Sequence, residues 1–169
     1  GVRSYFSLEG KPETLPPFAT NLKAYVEKMS HNIDTTHGGF GHAPKFFHTE
    51  SLQLFLRHAM TTQSHKSKEA LEHTLISMAS GGIFDQLGGG FHRYSTDQIW
   101  LVPHFEKMLY DNALLAGIYT SAYQYFNGVE TAETARAIFQ YVEREMLAPE
   151  GAFYATQDAD SEGEEGKFY

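Results

Sequence analysis

Apolar side chains recur every three or four residues in five stretches of the chain, which predicts five amphipathic helices. Their inward positions are Leu22, Val26 and Met29 in the first; Leu52, Phe55 and Leu56 in the second; Leu71, Leu75 and Met78 in the third; Met108, Leu109 and Ala116 in the fourth; and Ala135, Ile138 and Val142 in the fifth. A polar linker at residues 61–67 separates the second from the third. The fourth is apolar on more than one side, so we expect it to be buried on more than one side.

The longest interruption of this pattern, residues 80–112, concentrates glycine, histidine, arginine and carboxylate side chains between two helices. Connections between helices or strands usually run about 4 to 6 residues, so a segment this long predicts an ordered loop with a structural or functional role. Residues 91–95 and 98–102 predict a short β-hairpin that turns at Thr96 and Asp97. Pro103 suits the first position of a helix, which would place His104, Glu106 and Lys107 in its first turn.

Three of the breaks between helices share small residues followed by an aromatic residue. They are Gly38-Gly39-Phe40, Gly81-Gly82-Ile83-Phe84 and Gly151-Ala152-Phe153-Tyr154. Similar loops between helical hairpins predict an array or closed ring of helix pairs, each burying its apolar face against the next. In such a ring the long loops gather at one end.

The composition excludes several classes of function. The chain has 169 residues, 41% of them hydrophobic, which is enough for one globular domain. A net charge of −8 argues against nucleic acid as a partner. The sequence contains no run of about 20 apolar residues, the length that a membrane span requires. Cysteine is absent from the sequence, which fits a reducing compartment, and we expect a cytoplasmic location.

Three phrases carry a resemblance to a known family. They are GGFGHAPKF at residues 38–46, GGIFDQLGGGFHRYSTDQIWLVPHFEKMLYDNALL at residues 81–115 and GAFYATQDADSEGEEGKFY at residues 151–169. In order and spacing they resemble the thioredoxin-domain-containing family that includes spermatogenesis-associated proteins. The resemblance implies an all-α fold, a partial α/α toroid of helical hairpins with short β-hairpins in the loops, similar to N-acylglucosamine 2-epimerases and six-hairpin glycosidases.

The same resemblance implies a domain organisation. Residues 1–13 would be an arm or the end of a linker, and residues 14–169 the first part of a toroid domain truncated at its C-terminus. A thioredoxin-like domain would precede this region in the parent chain and would be its partner. Helices that lack their neighbours would leave apolar surface exposed, so we expect the fragment to self-associate.

Residues 80–112 contain side chains that could transfer protons to and from a saccharide. Epimerisation beside a masked carbonyl needs a base and a second acid or base, and His92 and His104 fit those roles. Arg93 or Lys107 would steady an enolate-like oxygen. Helical spacing would place His104, Lys107 and Asp111 on one face, although Lys107 and Asp111 could equally form a surface ion pair.

Two other functions stay open. A glycoside hydrolase would need two carboxylates roughly 5 to 10 Å apart. Its candidates are Asp85, Asp97, Glu106, Asp158 and Asp160, of which Asp85 and Asp97 could instead stabilise turns. A noncatalytic module that binds a ligand or serves the thioredoxin-like domain is the other alternative.

The remaining acidic and histidine side chains do not predict a metal site. The acidic run from Asp158 matches only the opening of an EF-hand loop, and the spacing of His37, His42 and His48 fits no established zinc pattern, so we expect no metal. No cofactor is expected. Tyr94 and Trp100, flanked by polar residues, are the aromatic side chains best suited to a ligand surface.

Overall fold

The computed structural model describes residues 18–167, and α-helices dominate that range. They are α1 (Phe18–Ser30), α2 (Thr49–Thr62), α3 (His65–Ser80), α4 (Leu109–Phe126) and α5 (Val129–Tyr141), which continues as a π-helical turn over Val142–Met146. The five predicted helices are thereby confirmed. The arm predicted at residues 1–13 lies outside the described residues. No helix within residues 18–167 combines the length and hydrophobicity of a membrane crossing.

The predicted polar linker between α2 and α3 is wrong. Only Gln63 and Ser64 separate the two helices. Gln63 adopts the left-handed conformation, with φ of 54°, and ends α2. The Ser64 side chain then caps α3 by accepting a hydrogen bond from the Ser67 N–H, so polar residues around this point belong to the helices.

Helix α4 begins at Leu109, so the predicted helix start at Pro103 is wrong. Pro103–His104 forms strand β2, which pairs antiparallel with β1 (Tyr94–Ser95). The Arg93 N–H also donates to the Glu106 carbonyl at 2.8 Å. These bonds hold the segment extended, so His104, Glu106 and Lys107 precede the helix and share no helical face with Asp111.

A hairpin does form here, but its strands are shifted from the predicted positions. Residues 96–102 are its loop, and the Asp97 carboxylate accepts backbone hydrogen bonds from Ile99, Leu101 and Val102. Two further antiparallel pairs complete the strands: β3 (Lys107–Met108) with β4 (Thr156–Gln157), and β5 (Asp160–Ser161) with β6 (Glu164–Glu165).

Two loops at the ends of α1 and α3 have the same construction. In each, an aspartate accepts two backbone N–H groups with its Oδ1 atom: Asp34 from Thr36 and His37, and Asp85 from Leu87 and Gly88. The aspartate backbone also bonds to a Gly-Gly pair, which is Gly38-Gly39 in the first loop and Gly89-Gly90 in the second. The repeat of the first loop is therefore Gly89-Gly90-Phe91, and the predicted equivalent at Gly81–Phe84 is wrong.

A buried lysine neutralises each of these aspartates. Lys45 Nζ lies 2.8 Å from Asp34 Oδ2, and Lys107 Nζ lies 2.7 Å from Asp85 Oδ2. Each ammonium also faces an aromatic ring, Trp100 at 4.9 Å and Tyr141 at 4.4 Å from the ring centroids. The charges are thus paired and enclosed, as buried charges must be.

The loop after the π-helical turn repeats the backbone pattern without the charges. Leu147 bridges Phe153, and the Ala148 N–H donates to the Ala152 carbonyl. Ala148 stands where the other loops have aspartate. The third predicted repeat, Gly151-Ala152-Phe153, therefore closes with the same kinds of backbone bond in a loop one residue shorter, and it lacks the aspartate.

Backbone pairing joins the three loops at one end of the helices. Lys45 exchanges hydrogen bonds with Ser95, which links the first loop to the second. Strands β3 and β4 link the second to the third. Because α1, α3 and α5 end at these loops and α2 and α4 begin there, the expected gathering of loops at one end is confirmed for the described residues.

The core fills the space between the helices, and one groove remains open. Helix α4 buries Asn112, Leu115, Ile118 and Tyr119, which agrees with its predicted burial on several sides. Between α2 and α4 lies a groove of about 820 Å³ lined by Leu54, Met60 and Gly117 among other residues. Self-association through such exposed apolar surface stays a prediction.

Replacing Lys107 with alanine should destabilise the chain by about 3 kcal/mol, because removing one partner of a buried ion pair leaves the other charge uncompensated. Urea unfolding can be followed through the fluorescence of Trp100, the one tryptophan in the sequence. The matched control is Lys23→Ala, since the Lys23–Glu27 pair spans 3.8 Å with both side chains more than half exposed. Equal losses of stability in the two variants would contradict a structural role for the buried pair.

Candidate functional site

Two adjoining pockets at the loop end share Phe46 and Arg93, and we call them together the Arg93 cleft. One, of about 280 Å³, is also lined by Glu50, Tyr110 and Asp111 among others. The other, of about 480 Å³, is also lined by Pro44, Tyr94 and Thr96. Residues from the first loop, the β1–β2 hairpin and the first turns of α2 and α4 therefore meet here.

Arg93 is held in the cleft by an ion pair with Glu106. Arg93 Nη1 lies 2.7 Å from Glu106 Oε2, and this hydrogen bond raises the pKa of the guanidinium above its usual value. The Arg93 side chain is still 43% exposed. Its remaining N–H groups can thus donate to an oxygen of a ligand, in the fork geometry that guanidinium provides.

His104 lies between two carboxylates. Its Nδ1 atom is 2.8 Å from Glu165 Oε1, and its Nε2 atom is 3.8 Å from Glu106 Oε2. Glu165 also accepts the Phe105 N–H at 3.2 Å, which fixes the carboxylate beside the ring. An imidazole oriented by a carboxylate on one nitrogen presents the other nitrogen for proton transfer.

Three rings form a row along the cleft. Tyr94 stacks on His104 with centroids 5.1 Å apart and contacts Phe46 at 5.0 Å. Phe46 is 43% exposed, so part of this aromatic surface faces outward. Tyr94 lines the larger pocket of the cleft, and its role at a ligand surface stays a prediction.

Asp111 is the most enclosed acidic group of the cleft, with 9% of its surface exposed. Burial raises the pKa of Asp111 to about 6, with Glu50 and Glu106 adding to the rise and Arg93 opposing it. A carboxyl group in this state can both give and accept a proton near neutral pH.

His92 does not join the cleft, contrary to its predicted catalytic role. It is 1% exposed, and its Nδ1 atom lies 3.1 Å from the Phe105 carbonyl oxygen. Burial, together with the nearby charge of Lys107, lowers the pKa of His92 to about 4. The imidazole is therefore neutral and shielded from any substrate.

The predicted roles of Asp85 in catalysis and of Lys107 in substrate binding are also wrong, because the two side chains form a buried ion pair with each other. Burial alone would raise the pKa of Asp85, but hydrogen bonds from Gly88 and Lys107 outweigh it and lower the value to about 2. Lys107 also donates to the Gly89 carbonyl at 3.0 Å. The pair organises the second loop and offers neither a catalytic carboxylate nor a substrate-binding amine.

Trp100 is fully buried, so its predicted role at a ligand surface is wrong. Its ring stacks on Phe47 with planes 7° apart, and its Nε1 donates to the His37 carbonyl. A Cβ on Gly39 would lie 2.5 Å from the ring, so this close approach requires glycine. Trp100 thus fastens the hairpin loop to the first loop.

The acidic C-terminal hairpin contributes one residue that was not predicted. Asp158 and Asp160 are exposed, and Asp158 accepts the Asp160 N–H at 3.1 Å. Glu165, opposite Asp160 in the hairpin, is the residue that reaches His104. Across residues 18–167, no group of three or more His, Cys, Asp or Glu side chains is arranged to hold a metal.

The cleft residues that the sequence prediction missed include Phe46, His48, Glu50 and Tyr110, and it also missed Glu165 beside His104. Phe46 lies in the first quoted phrase, but no spacing marks it as a cleft residue. Glu50 and Tyr110 lie in the first turns of α2 and α4, and only the pairing of the loops brings those turns together. No sequence spacing relates Glu165 to His104, which is 61 residues away.

Comparisons with known proteins are consistent with this architecture. No protein-family model matches the chain. It is 42% identical over 158 residues to spermatogenesis-associated protein 20 of Homo sapiens, covering 90% of this chain and 20% of that protein. The Mus musculus protein is 43% identical over 152 residues, covering 88% and 19%.

The chain is homologous to a segment of spermatogenesis-associated protein 20. The resemblance seen in the three sequence phrases is thereby confirmed. The chain spans about a fifth of the length of these relatives.

Solved structures with similar folds include sugar epimerases and a sugar isomerase. A sugar epimerase from a ruminal bacterium superposes with a TM-score of 0.72 at 16% identity, over 84% of this chain and 40% of that one. Cellobiose 2-epimerase from Spirochaeta thermophila gives 0.69 at 18% identity, over 87% and 42%. A D-mannose isomerase gives 0.61 at 17% identity, over 86% and 41%. The predicted fold, a partial α/α toroid of helical hairpins, is confirmed.

His92 should show no titration between pH 8 and pH 5, because its folded pKa of about 4 lies below the ordinary value of 6.5. Stability contributed by the neutral ring is full above pH 6.5 and declines as the pH falls toward 4. NMR of the ring Cε1–H measures this, with the urea-unfolded chain as control. A folded-state transition near pH 6.5 would contradict the burial of the ring.

Proposed function

We propose that the chain supplies sugar-binding and proton-transfer groups to a sugar epimerase or isomerase. The observation that carries this proposal is the joint placement of Arg93 and His104 against Glu106 at the loop end of an epimerase-like toroid fold. Arg93 lines the cleft, and His104 lies beside it, stacked on the cleft residue Tyr94. An anchored cation and an oriented imidazole are the two groups that abstraction of a proton beside a carbonyl requires.

His104 acts as the base. Glu165 at Nδ1 orients the ring and stabilises the imidazolium that forms when the other nitrogen takes the C2 proton of an open-chain sugar. As the C–H electron pair forms the C1–C2 double bond, the carbonyl π electrons move to O1. Arg93 donates to that developing oxyanion, where charge-assisted hydrogen bonds are strongest.

Return of a proton to the enediolate decides the product. The His104 imidazolium can return the proton to C1 on the same face, which gives the ketose as the proton of the O2 hydroxyl is transferred to O1. Return of a proton to C2 on the opposite face gives the epimer and requires a second proton donor on that face. Arg93 and His104 are therefore the groups that an isomerase needs, and an epimerase needs one further acid in the cleft.

The aromatic row supplies a surface for the sugar. Phe46 lies beside Arg93 with 43% of its surface exposed, and Tyr94 packs behind it. The axial C–H groups of a pyranose form an apolar face that packs on such an exposed ring. Stacking at this point would place the reducing end near Arg93 and His104.

Hydrolysis of a glycosidic bond is supported less by the cleft. The Glu106 carboxylate is held by Arg93 and the Glu165 carboxylate by His104, so these two carboxylates are already paired and are not placed as the two groups that flank a glycosidic bond. A noncatalytic role, in which the region binds a ligand or packs against a thioredoxin-like domain, stays a second proposal without a specific contact in its favour.

The test uses the full-length protein with reducing sugars in deuterated water, and NMR follows loss of the C2 proton signal. His104→Gln should lower the exchange rate about 100-fold or more, because general base catalysis contributes that much. Arg93→Met should lower it by about 100-fold through loss of the oxyanion partner.

The control is His65→Gln. His65 is the first residue of α3, at the end of the helix away from the loops, and its side chain is 81% exposed. It should exchange at the wild-type rate. Absence of exchange with every sugar in the wild type would reject the epimerase and isomerase reading. Undiminished exchange in His104→Gln would remove His104 from the mechanism.

A further inference from the structure

Two carboxyl side chains line the smaller pocket of the Arg93 cleft and take no part in the proton abstraction proposed above. Glu50 lies in the first turn of α2 and Asp111 in the first turn of α4. Both helices begin at the loop end, so the two first turns open into the same pocket. Arg93 and Phe46 border it and continue into the second pocket.

The charge balance of this pocket leaves Asp111 without a dedicated cation. Arg93 is the basic group whose charge lowers the pKa of Asp111, but its guanidinium forms an ion pair with Glu106, with Nη1 and Oε2 2.7 Å apart. Asp111 is also nine-tenths buried. Burial raises the pKa of Asp111 to about 6 against the opposing effects of Arg93 and a side-chain hydrogen bond with Tyr110, and this keeps a proton available on Asp111 in the pH range where enzymes work.

A sugar substrate creates a chemical need for such a group. Abstraction of the C2 proton requires a carbonyl at C1, whereas a pyranose carries a cyclic hemiacetal there. Opening the ring needs an acid at the ring oxygen and a base at the C1 hydroxyl. A carboxyl pair with unequal environments is the usual solution for an acid and a base side by side.

We infer that Asp111 is the general acid that opens the pyranose ring of a reducing sugar in the Arg93 cleft, and that Glu50 accepts the proton of the C1 hydroxyl. This inference rests on the proposed function and assigns the step that precedes it.

The step balances in protons and electrons. The Asp111 carboxyl gives its proton to the ring oxygen O5 as the C1–O5 bond breaks and its electron pair stays on O5. The O1–H bond gives its proton to the Glu50 carboxylate, and its electron pair forms the C1–O1 double bond. Asp111 ends ionised and Glu50 protonated, and exchange with water restores both.

The experiment compares two substrates of the full-length protein in deuterated water. Glucose requires ring opening before its C2 proton can exchange, whereas glyceraldehyde is too short to close a ring and already has its carbonyl free. Each rate is measured relative to wild type with the same substrate. C2 exchange on glyceraldehyde also shows that a variant is folded and retains His104 and Arg93 in place.

Asp111→Asn should lower C2 exchange on glucose about 100-fold, the usual contribution of a general acid, and leave exchange on glyceraldehyde close to wild type. Glu50→Gln should show the same selectivity. Asp111→Glu restores an acid and should recover part of the glucose rate. The matched control Glu133→Gln, at an exposed position on α5, should change neither rate.

Each outcome bears on a stated claim. An equal fall on both substrates, or no fall on glucose, in Asp111→Asn overturns the ring-opening role. Exchange on glyceraldehyde but not on glucose in the wild type also overturns it. Failure of the wild type to exchange either substrate rejects the proposed proton abstraction instead.

Discussion

The buried aspartate–lysine pairs are the constraint on which the rest of the loop end depends. Each carboxylate accepts hydrogen bonds from two backbone N–H groups of its own loop with one oxygen. Its other oxygen accepts a hydrogen bond from a lysine distant in the sequence. Lys45 and Lys107 are fully or nearly fully buried, so neither pair can open without leaving a charge in the interior. The loops therefore keep one conformation, and residues on them can form a site without relying on a ligand to order them.

The Arg93 cleft is a consequence of that rigidity. Lys45 stands directly before Phe46, and Lys107 directly follows Glu106, so each ion pair fixes a neighbour that faces the cleft. Trp100 adds a third contact between the hairpin loop and the first loop, because its ring stacks on Phe47. The chemistry at the surface, Arg93 with Glu106 and His104 with Glu165, is thus supported from below by groups that never meet a substrate.

Sequence patterns predicted the helices and their burial well, since apolar spacing reports directly on which face of a helix packs inward. They failed where the chain is extended. Pro103 fits a helix start and an irregular strand equally well, and the choice was made by pairing with Ser95. His92 and His104 looked equivalent in sequence, yet His92 is interior and His104 is not. Trp100 lies between Ile99 and Leu101, and aromatic packing places it in the interior while those two neighbours stay exposed. Glu165 reaches His104 through the two strand pairs β3–β4 and β5–β6, contacts that no local spacing encodes.

The central claim is that a sugar binds in the Arg93 cleft, and a crystal structure of the full-length protein with a bound reducing sugar tests it most directly. The account predicts the pyranose ring over Phe46, an oxygen of its reducing end within hydrogen-bond distance of the Arg93 guanidinium, and the His104–Glu165 contact intact. A sugar bound elsewhere with the cleft empty, or a cleft occupied with Arg93 turned away from the ligand, would contradict it.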